Sequence, residues 1–191
     1  MGPADRDREA LARLRAAGRS GAGLFAICCI ERLRPLLDHV PSGAPVLVAG
    51  VSLTQLWRVL EGAERPDPRR LAELSNACWS LVEVEPAPRV PAIYLELLAA
   101  GAHDALETYL SGDPQHAIRA AQKACEAASH AAKDLLEKER ASQDGDLQEI
   151  SAPARAGAAL PQLATRLRQR AEGQGKKFVE ALLEAAKRKK R

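Results

Sequence analysis

Apolar positions along this chain recur mostly at three- and four-residue steps, the spacing that lines up side chains on one face of an α-helix. From Leu24 the series Phe25, Cys28, Cys29, Leu33, Leu36 and Leu37 forms such a face, with Glu31, Arg32, Arg34 and Asp38 falling largely elsewhere. A shorter pattern containing Leu11 and Leu14 precedes it and is punctuated by Gly18, Gly21 and Gly23. Pro35 sits inside the main pattern, where its ring and missing N–H predict a kink or a local weakening of the helix. After a turn at Pro41, Ser42, Gly43 and Pro45, the stretch from Val46 to Val51 fits either a short strand or the apolar start of a helix. Leu53, Leu56, Trp57 and Leu60 then read as helix, ended by Gly62.

Two dipeptides, Asp67-Pro68 and Asp113-Pro114, each supply a capping carboxylate followed by a first-turn proline. The first opens a helix with Leu71, Leu74, Cys78 and Leu81 on one stripe, stopped by Pro86 and Pro88. Pro91 opens the next, which carries Tyr94, Leu97, Leu98, Leu106, Tyr109 and Leu110 and ends at Ser111 and Gly112. The second capping pair opens a helix expected to run towards Arg140, with Ile118, Ala121, Cys125, Ala128, Ala132, Leu135 and Leu136 facing inward. That stripe is mostly alanine, so a neighbouring helix is expected to approach closely. Residues 141–161 change character, with Ser142, Asp144, Gly145, Asp146, Pro153, Gly157 and Pro161, and read as a linker. Two short basic helices are expected beyond it, one around Leu163 and Leu167, the other with Phe178, Val179, Leu182, Leu183 and Ala186 on one side. The pattern predicts an all-α fold: a compact bundle of five to six helices over residues 1–140, a linker over 141–161, and a basic amphipathic helical tail over 162–191.

Composition agrees with a helical chain. Only six of 191 residues are aromatic, while Ala, Leu, Arg and Glu, which lose little rotamer freedom in a helix, are abundant. The 46% hydrophobic content is enough for a core and too high for general disorder. No uncharged apolar run reaches the roughly 18 residues of a membrane-spanning helix. Cys28, Cys29, Cys78 and Cys125 include no CxxC pair, which removes the zinc-ribbon and thioredoxin-like readings and suits buried thiols in a reducing compartment. Met1 to Glu9 is charged and lacks the apolar region of a secretory signal, so the expected location is cytoplasmic.

Charge divides the chain more sharply than its net of +3 suggests. Residues 1–150 hold 17 Lys and Arg against 22 Asp and Glu, a net of −5; residues 151–191 hold 11 against 3, a net of +8. An acidic body and a basic tail follow, and a basic segment attracts phosphates or acidic surfaces.

The segment Cys29-Ile30-Glu31-Arg32-Leu33-Arg34-Pro35, a Cys-x-Glu-Arg-x-x-Pro core, resembles the opening of the YjaG-like proteins, a bacterial all-helical family of unknown function. Leu56-Trp57-Arg58-Val59-Leu60-Glu61-Gly62 is similar to that family's tryptophan-containing helix before a glycine, and Ala102-His103-Asp104-Ala105-Leu106-Glu107 to its Asp-Ala helix. The resemblance covers about residues 20–135 and implies a helical bundle. It implies no catalytic residues.

Among candidate chemistry, Glu31-Arg32 is the most distinctive dipeptide: Glu31 receiving a partner and Arg32 clamping a carboxylate bidentately, or both locking helices through salt bridges. His103 with Glu107, and Glu126 with His130, stand four apart on one helix face each. Were those faces to meet they would offer a metal two imidazoles and two carboxylates, although the Glu-x-x-His steps of di-iron bundles are missing. His39 and His116 lie beside turns, and no Gly-x-Ser-x-Gly elbow presents a serine. Gly18, Gly21 and Gly23 do not follow the Gly-x-Gly-x-x-Gly order, and Trp57 and Trp79 read as core residues. The tail carries Lys176, Lys177, Lys187, Arg188, Lys189, Lys190 and Arg191 as candidate phosphate contacts. With only Phe178 there for stacking, such binding would be non-specific. The expectation is a non-enzymatic module that binds another protein, of the inhibitor or immunity type, with no metal or cofactor. Nucleic-acid association through the tail is the alternative, and a metal-dependent helical-bundle enzyme comes third.

Overall fold

A computed structural model describes residues 3–81, 90–152 and 160–189. Seven α-helices occupy them: α1 Pro3–Glu31, α2 Leu47–Leu60, α3 Pro68–Trp79, α4 Ala92–Ser111, α5 Pro114–Ala131, α6 Lys133–Ile150 and α7 Leu160–Lys189. A 3-10 turn, Arg34–His39, follows α1, and no strand is present among the described residues. Val46 to Val51 is thus the entry to α2, not a strand.

The second half of α1 is the axis of the molecule. Every residue from Gly21 to Leu33 is buried, including both cysteines and the charged pair Glu31 and Arg32. A helix buried on all sides needs neighbours on all sides, and α2, α4, α5, α6 and α7 all contact it. The amphipathic stripe read from the sequence is therefore a full cylinder. Helix-to-helix approach is closest where side chains vanish: a Cβ on Gly101 of α4 would come within 2.3 Å of Ile30, and one on Gly175 of α7 within 3.0 Å of the Arg32 carbonyl oxygen. The alanines of α5 do the same, but the deepest are Ala117, Ala120, Ala124, Ala127 and Ala128, while Cys125, Ala132 and Leu136 are only half-buried.

The element boundaries follow local chemistry. Both Asp-Pro pairs cap as expected: Asp67 accepts from the Arg69 and Arg70 N–H groups and Asp113 from that of Gln115. Gly18 alone interrupts α1, with φ 69° and ψ −176°, while Gly21 and Gly23 stay helical. Pro35 does not kink a helix; it sits in the first turn of the 3-10 segment, where its lacking N–H costs nothing. The helix expected to run unbroken from Pro114 to Arg140 breaks at Ala132, which is fully extended at φ −162° and ψ 152°. Pro86, Pro88, Pro153 and Gly157 lie outside the described residues.

Two expectations for the C-terminal part need correction. Residues 141–150, read as the start of a linker, are helical and complete α6, because Gln143, Asp146, Leu147 and Ile150 face the core. The two short basic helices are one 30-residue helix, α7. Its apolar side, with Leu163, Leu167, Phe178, Val179, Leu182 and Leu183, is buried in the same core as α1, so it is part of the bundle rather than a tail.

Candidate functional site

Adjacent residues on a helix point about 100° apart and do not face each other, and Glu31 and Arg32 accordingly enter two separate networks. Arg32, 1% exposed, makes a fork-to-fork pair with Glu139 of α6, its Nε 2.9 Å from Oε2 and its Nη2 2.8 Å from Oε1. Its Nη1 donates to Asp146 Oδ2 at 2.7 Å. Asp146 Oδ1 accepts from Arg170 of α7 at 2.6 Å, and Arg170 also pairs with Glu149. Burial pulls the Arg32 pKa down, but the Glu139 and Asp146 carboxylates outweigh it and hold the guanidinium above its ordinary value. Burial and the neighbouring carboxylates keep the thiols of Cys28 and Cys29 protonated, well above the usual cysteine range.

Glu31, also 1% exposed, accepts at Oε2 from the indole N–H of Trp57 at 2.8 Å and at Oε1 from Arg34 at 3.1 Å. Burial raises its pKa, and Arg34 and the Trp57 hydrogen bond only partly offset this. Arg34 continues to Thr54 at 2.9 Å. Over the ring of Trp57 the Arg168 guanidinium stands 5.9 Å from the centroid while bonding Glu61 and Glu172. A groove of about 530 Å³ opens here between the 3-10 turn and α7, with Asp38 and Lys176 on its sides. The dipeptide expected to face a partner thus turns inward, and its charges fasten α1 to α2, α6 and α7. Arg32 is sealed from solvent, and Glu31 meets it only as part of the groove's lining.

The two His–carboxylate pairs have different neighbours. His103 and Glu107 converge on Ser75 of α3: Ser75 Oγ donates to Glu107 at 2.6 Å and lies 2.8 Å from His103 Nδ1. Glu126 and His130 make their own contact at 3.8 Å on α5. Among the described residues, no three His, Cys, Asp or Glu side chains come together as a metal site requires. Ser75 is fully buried, and its hydroxyl ties α3 to the His103 and Glu107 side chains of α4. His116 stands 3.0 Å from the buried carboxylate of Asp104, which also accepts from Arg119 Nε at 2.9 Å. This contact across the α4–α5 hairpin gives no periodic signal in the sequence.

Trp79 departs from the core role expected of it. It ends α3 with 59% of its surface exposed, and its ring packs at 4.9 Å and 44° on His103. His103 is in turn fixed by Ser75, so the indole is braced from beneath. A sequence reading misses this because Trp79 is next to Cys78 on the buried stripe. One residue of rotation carries it out of the core.

Along α7 the basic side chains divide in two. Arg166, Arg168 and Arg170 pair with Glu149, Glu61 and Asp146 of the body. Lys176, Lys177, Lys187 and Arg188 are exposed, interleaved with exposed Glu180 and Glu184; Arg188 reaches Glu184 at 3.7 Å. Lys190, Arg191 and the side chain of Lys189 lie outside the described residues. No helix of the described residues is long and apolar enough to cross a membrane. No protein-family model, curated protein or solved structure matches the chain.

Proposed function

We propose that this chain is a non-enzymatic protein-binding module of the inhibitor or immunity type, contacting its partner through the face around Trp79 and His103. The observation that carries the reading is a large indole, 59% exposed, packed on the His103 ring. Tryptophan buries much area for few rotatable bonds and is enriched at the centres of protein interfaces, and bracing by His103 removes part of the ordering cost of binding. The acidic surplus of residues 1–150 contributes less than the sequence suggests, since Glu61, Asp146 and Glu149 are engaged by α7. The YjaG-like relationship belongs to the same reading: Glu31, Arg32 and Trp57, which carry the resemblance, are all core residues, as a shared bundle would require.

The test is capture from a native lysate with the full chain, Trp79→Ala and His103→Ala, each checked for an unchanged melting temperature. A protein retained by the wild type and lost at least tenfold, about 1.4 kcal/mol, in Trp79→Ala supports the reading. Equal retention by Trp79→Ala overturns it. The second reading, phosphate binding by the tail, rests on the exposure of Lys176, Lys177, Lys187 and Arg188. It predicts nucleic-acid binding that falls steeply with salt and is lost when those four become Glu; binding by the quadruple variant refutes it.

A further inference from the structure

The first half of α1, before the Gly18 break, is held far more loosely than the second. Leu14 is its one fully buried side chain among the described residues; Ala10, Leu11 and Ala17 pack on the core only in part, and polar contacts add to them. Arg6 donates to the Arg140 carbonyl at 2.7 Å and to Asp144 at 2.9 Å, and Gln122 donates to Asp7 at 2.9 Å. These contacts bridge from α1 to the rims of α5 and α6. Beneath them lies a hollow of about 560 Å³, within the roughly 300–1,000 Å³ of small-molecule sites. Its floor is apolar, made by Phe25, Ile118, Ala121 and Leu147, and its charged groups sit at the rim.

One polar side chain of the floor is incompletely used. Gln143 is 6% exposed and lines the hollow beside Cys125. Its amide nitrogen is well engaged, donating to the Ala121 carbonyl at 3.0 Å and to Glu139 at 2.9 Å. Its carbonyl oxygen, with two lone pairs, has only the Cys125 thiol at 3.6 Å. A thiol is a weak donor, and a buried amide oxygen so poorly matched gains from a stronger one.

We propose that this hollow binds a small, neutral, mostly apolar molecule carrying one hydroxyl or N–H donor, which Gln143 Oε1 accepts, with the first half of α1 as its cover. The apolar floor favours a neutral body, and the floor acceptor, Gln143 Oε1, held only by a weak thiol donor, selects a donor over an acceptor or an anion. Cys125 serves as a reporter at the site. Among the four thiols it alone is not fully buried, and Cys28, Cys29 and Cys78 are shielded from reagents.

The experiment uses the full chain with three probes of similar size: 4-ethylphenol, 4-ethylanisole, whose donor is masked, and 4-ethylbenzoate. Affinity is measured by calorimetry, and iodoacetamide labelling of Cys125 is followed by peptide mass spectrometry. The phenol is expected to bind about fivefold more tightly than the anisole, the worth of one hydrogen bond of about 1 kcal/mol, and to slow Cys125 labelling. The benzoate is expected not to bind. Equal affinity for phenol and anisole, tighter binding of the benzoate, no binding by any probe, or binding that leaves Cys125 labelling unchanged overturns the proposal. Filling the floor with Ala121→Leu should abolish the phenol's binding. If that variant fails to fold, Ile118→Phe makes the same test, and retained affinity in a folded variant overturns the placement. Gln143→Met should remove the preference for phenol over anisole and spare binding of the anisole.

Discussion

Arg32 is the residue whose removal should cost most. Deleting its charge leaves Glu139 and Asp146 buried against each other with one counter-ion fewer, and breaking a buried pair in this way costs about 3–5 kcal/mol. Arg32→Met is expected to lose that much in urea unfolding, and Arg32→Met with Glu139→Gln to recover part of it, because the second change removes one stranded charge. Recovery of nothing would mean that the methylene packing of Arg32, not its charge, is the larger contribution. Glu31 behaves oppositely with pH. Its pKa is higher folded than unfolded, so the folded state holds a proton that the unfolded state has released. Stability therefore falls as pH rises from the usual carboxylate range through the folded pKa. Glu149, whose pKa Arg170 and Arg166 lower against the effect of burial, contributes stability above the usual range that is lost as pH falls. Glu31→Gln, which keeps an acceptor for the Trp57 N–H, should flatten the decline above the usual carboxylate range in melting curves, whereas Glu149→Gln should flatten the loss on the acid side. At this scale the sequence is a poor guide. It marks Glu31-Arg32 as unusual, but which helix each one meets depends on a 100° difference in direction and on partners 26 positions away for Glu31 and more than 100 for Arg32.

At the scale of elements, the cap and break signals are local and therefore readable. Asp67-Pro68 and Asp113-Pro114 place two helix starts to the residue because a carboxylate, its N–H partners and the proline all lie within four positions. Asp113→Ala should cost about 1 kcal/mol in thermal unfolding, with Asp113→Ser recovering most of it. Gly18 is a different case. Three glycines lie within six residues and only this one leaves the helix, so composition marks the region and not the position. A side chain there is strained at φ 69°, and Gly18→Ala should loosen the first half of α1. Hydrogen exchange over residues 5–17 should then rise while that of 21–33 stays unchanged. The break at Ala132 has no sequence signal at all, since alanine is the best helix former. Packing of α6 against α1 and α7 overrides that preference.

For the molecule as a whole, the division of charge between residues 1–150 and 151–191 was legible, and its meaning was not. Three of the tail's arginines neutralise carboxylates of the body, so much of the asymmetry is complementarity within one chain. The apolar members of the tail helix were also legible, but amphipathicity alone does not say whether the partner is another molecule or the same one. Leu182 is fully buried in the same core as α1, so the two helices are expected to unfold together. Leu182→Ala should cost about 2–5 kcal/mol, and Trp57 fluorescence and total helicity should still report one transition at a lower midpoint. Two separated transitions would mean that α7 docks as an independent unit.

The seating of Gly175 against the backbone of Arg32 joins an early helix to the last one. On the ribosome, α1 emerges while α7 is still unmade, and its Arg170 is not there to hold Asp146. For most of translation the axis of the molecule is therefore without one wall. A chain without α7 would uncover the side of α1 on which Gly175 rests, at Arg32, while the other helices still cover the rest. The backbone of Arg32 thus gains its last neighbour only when α7 docks.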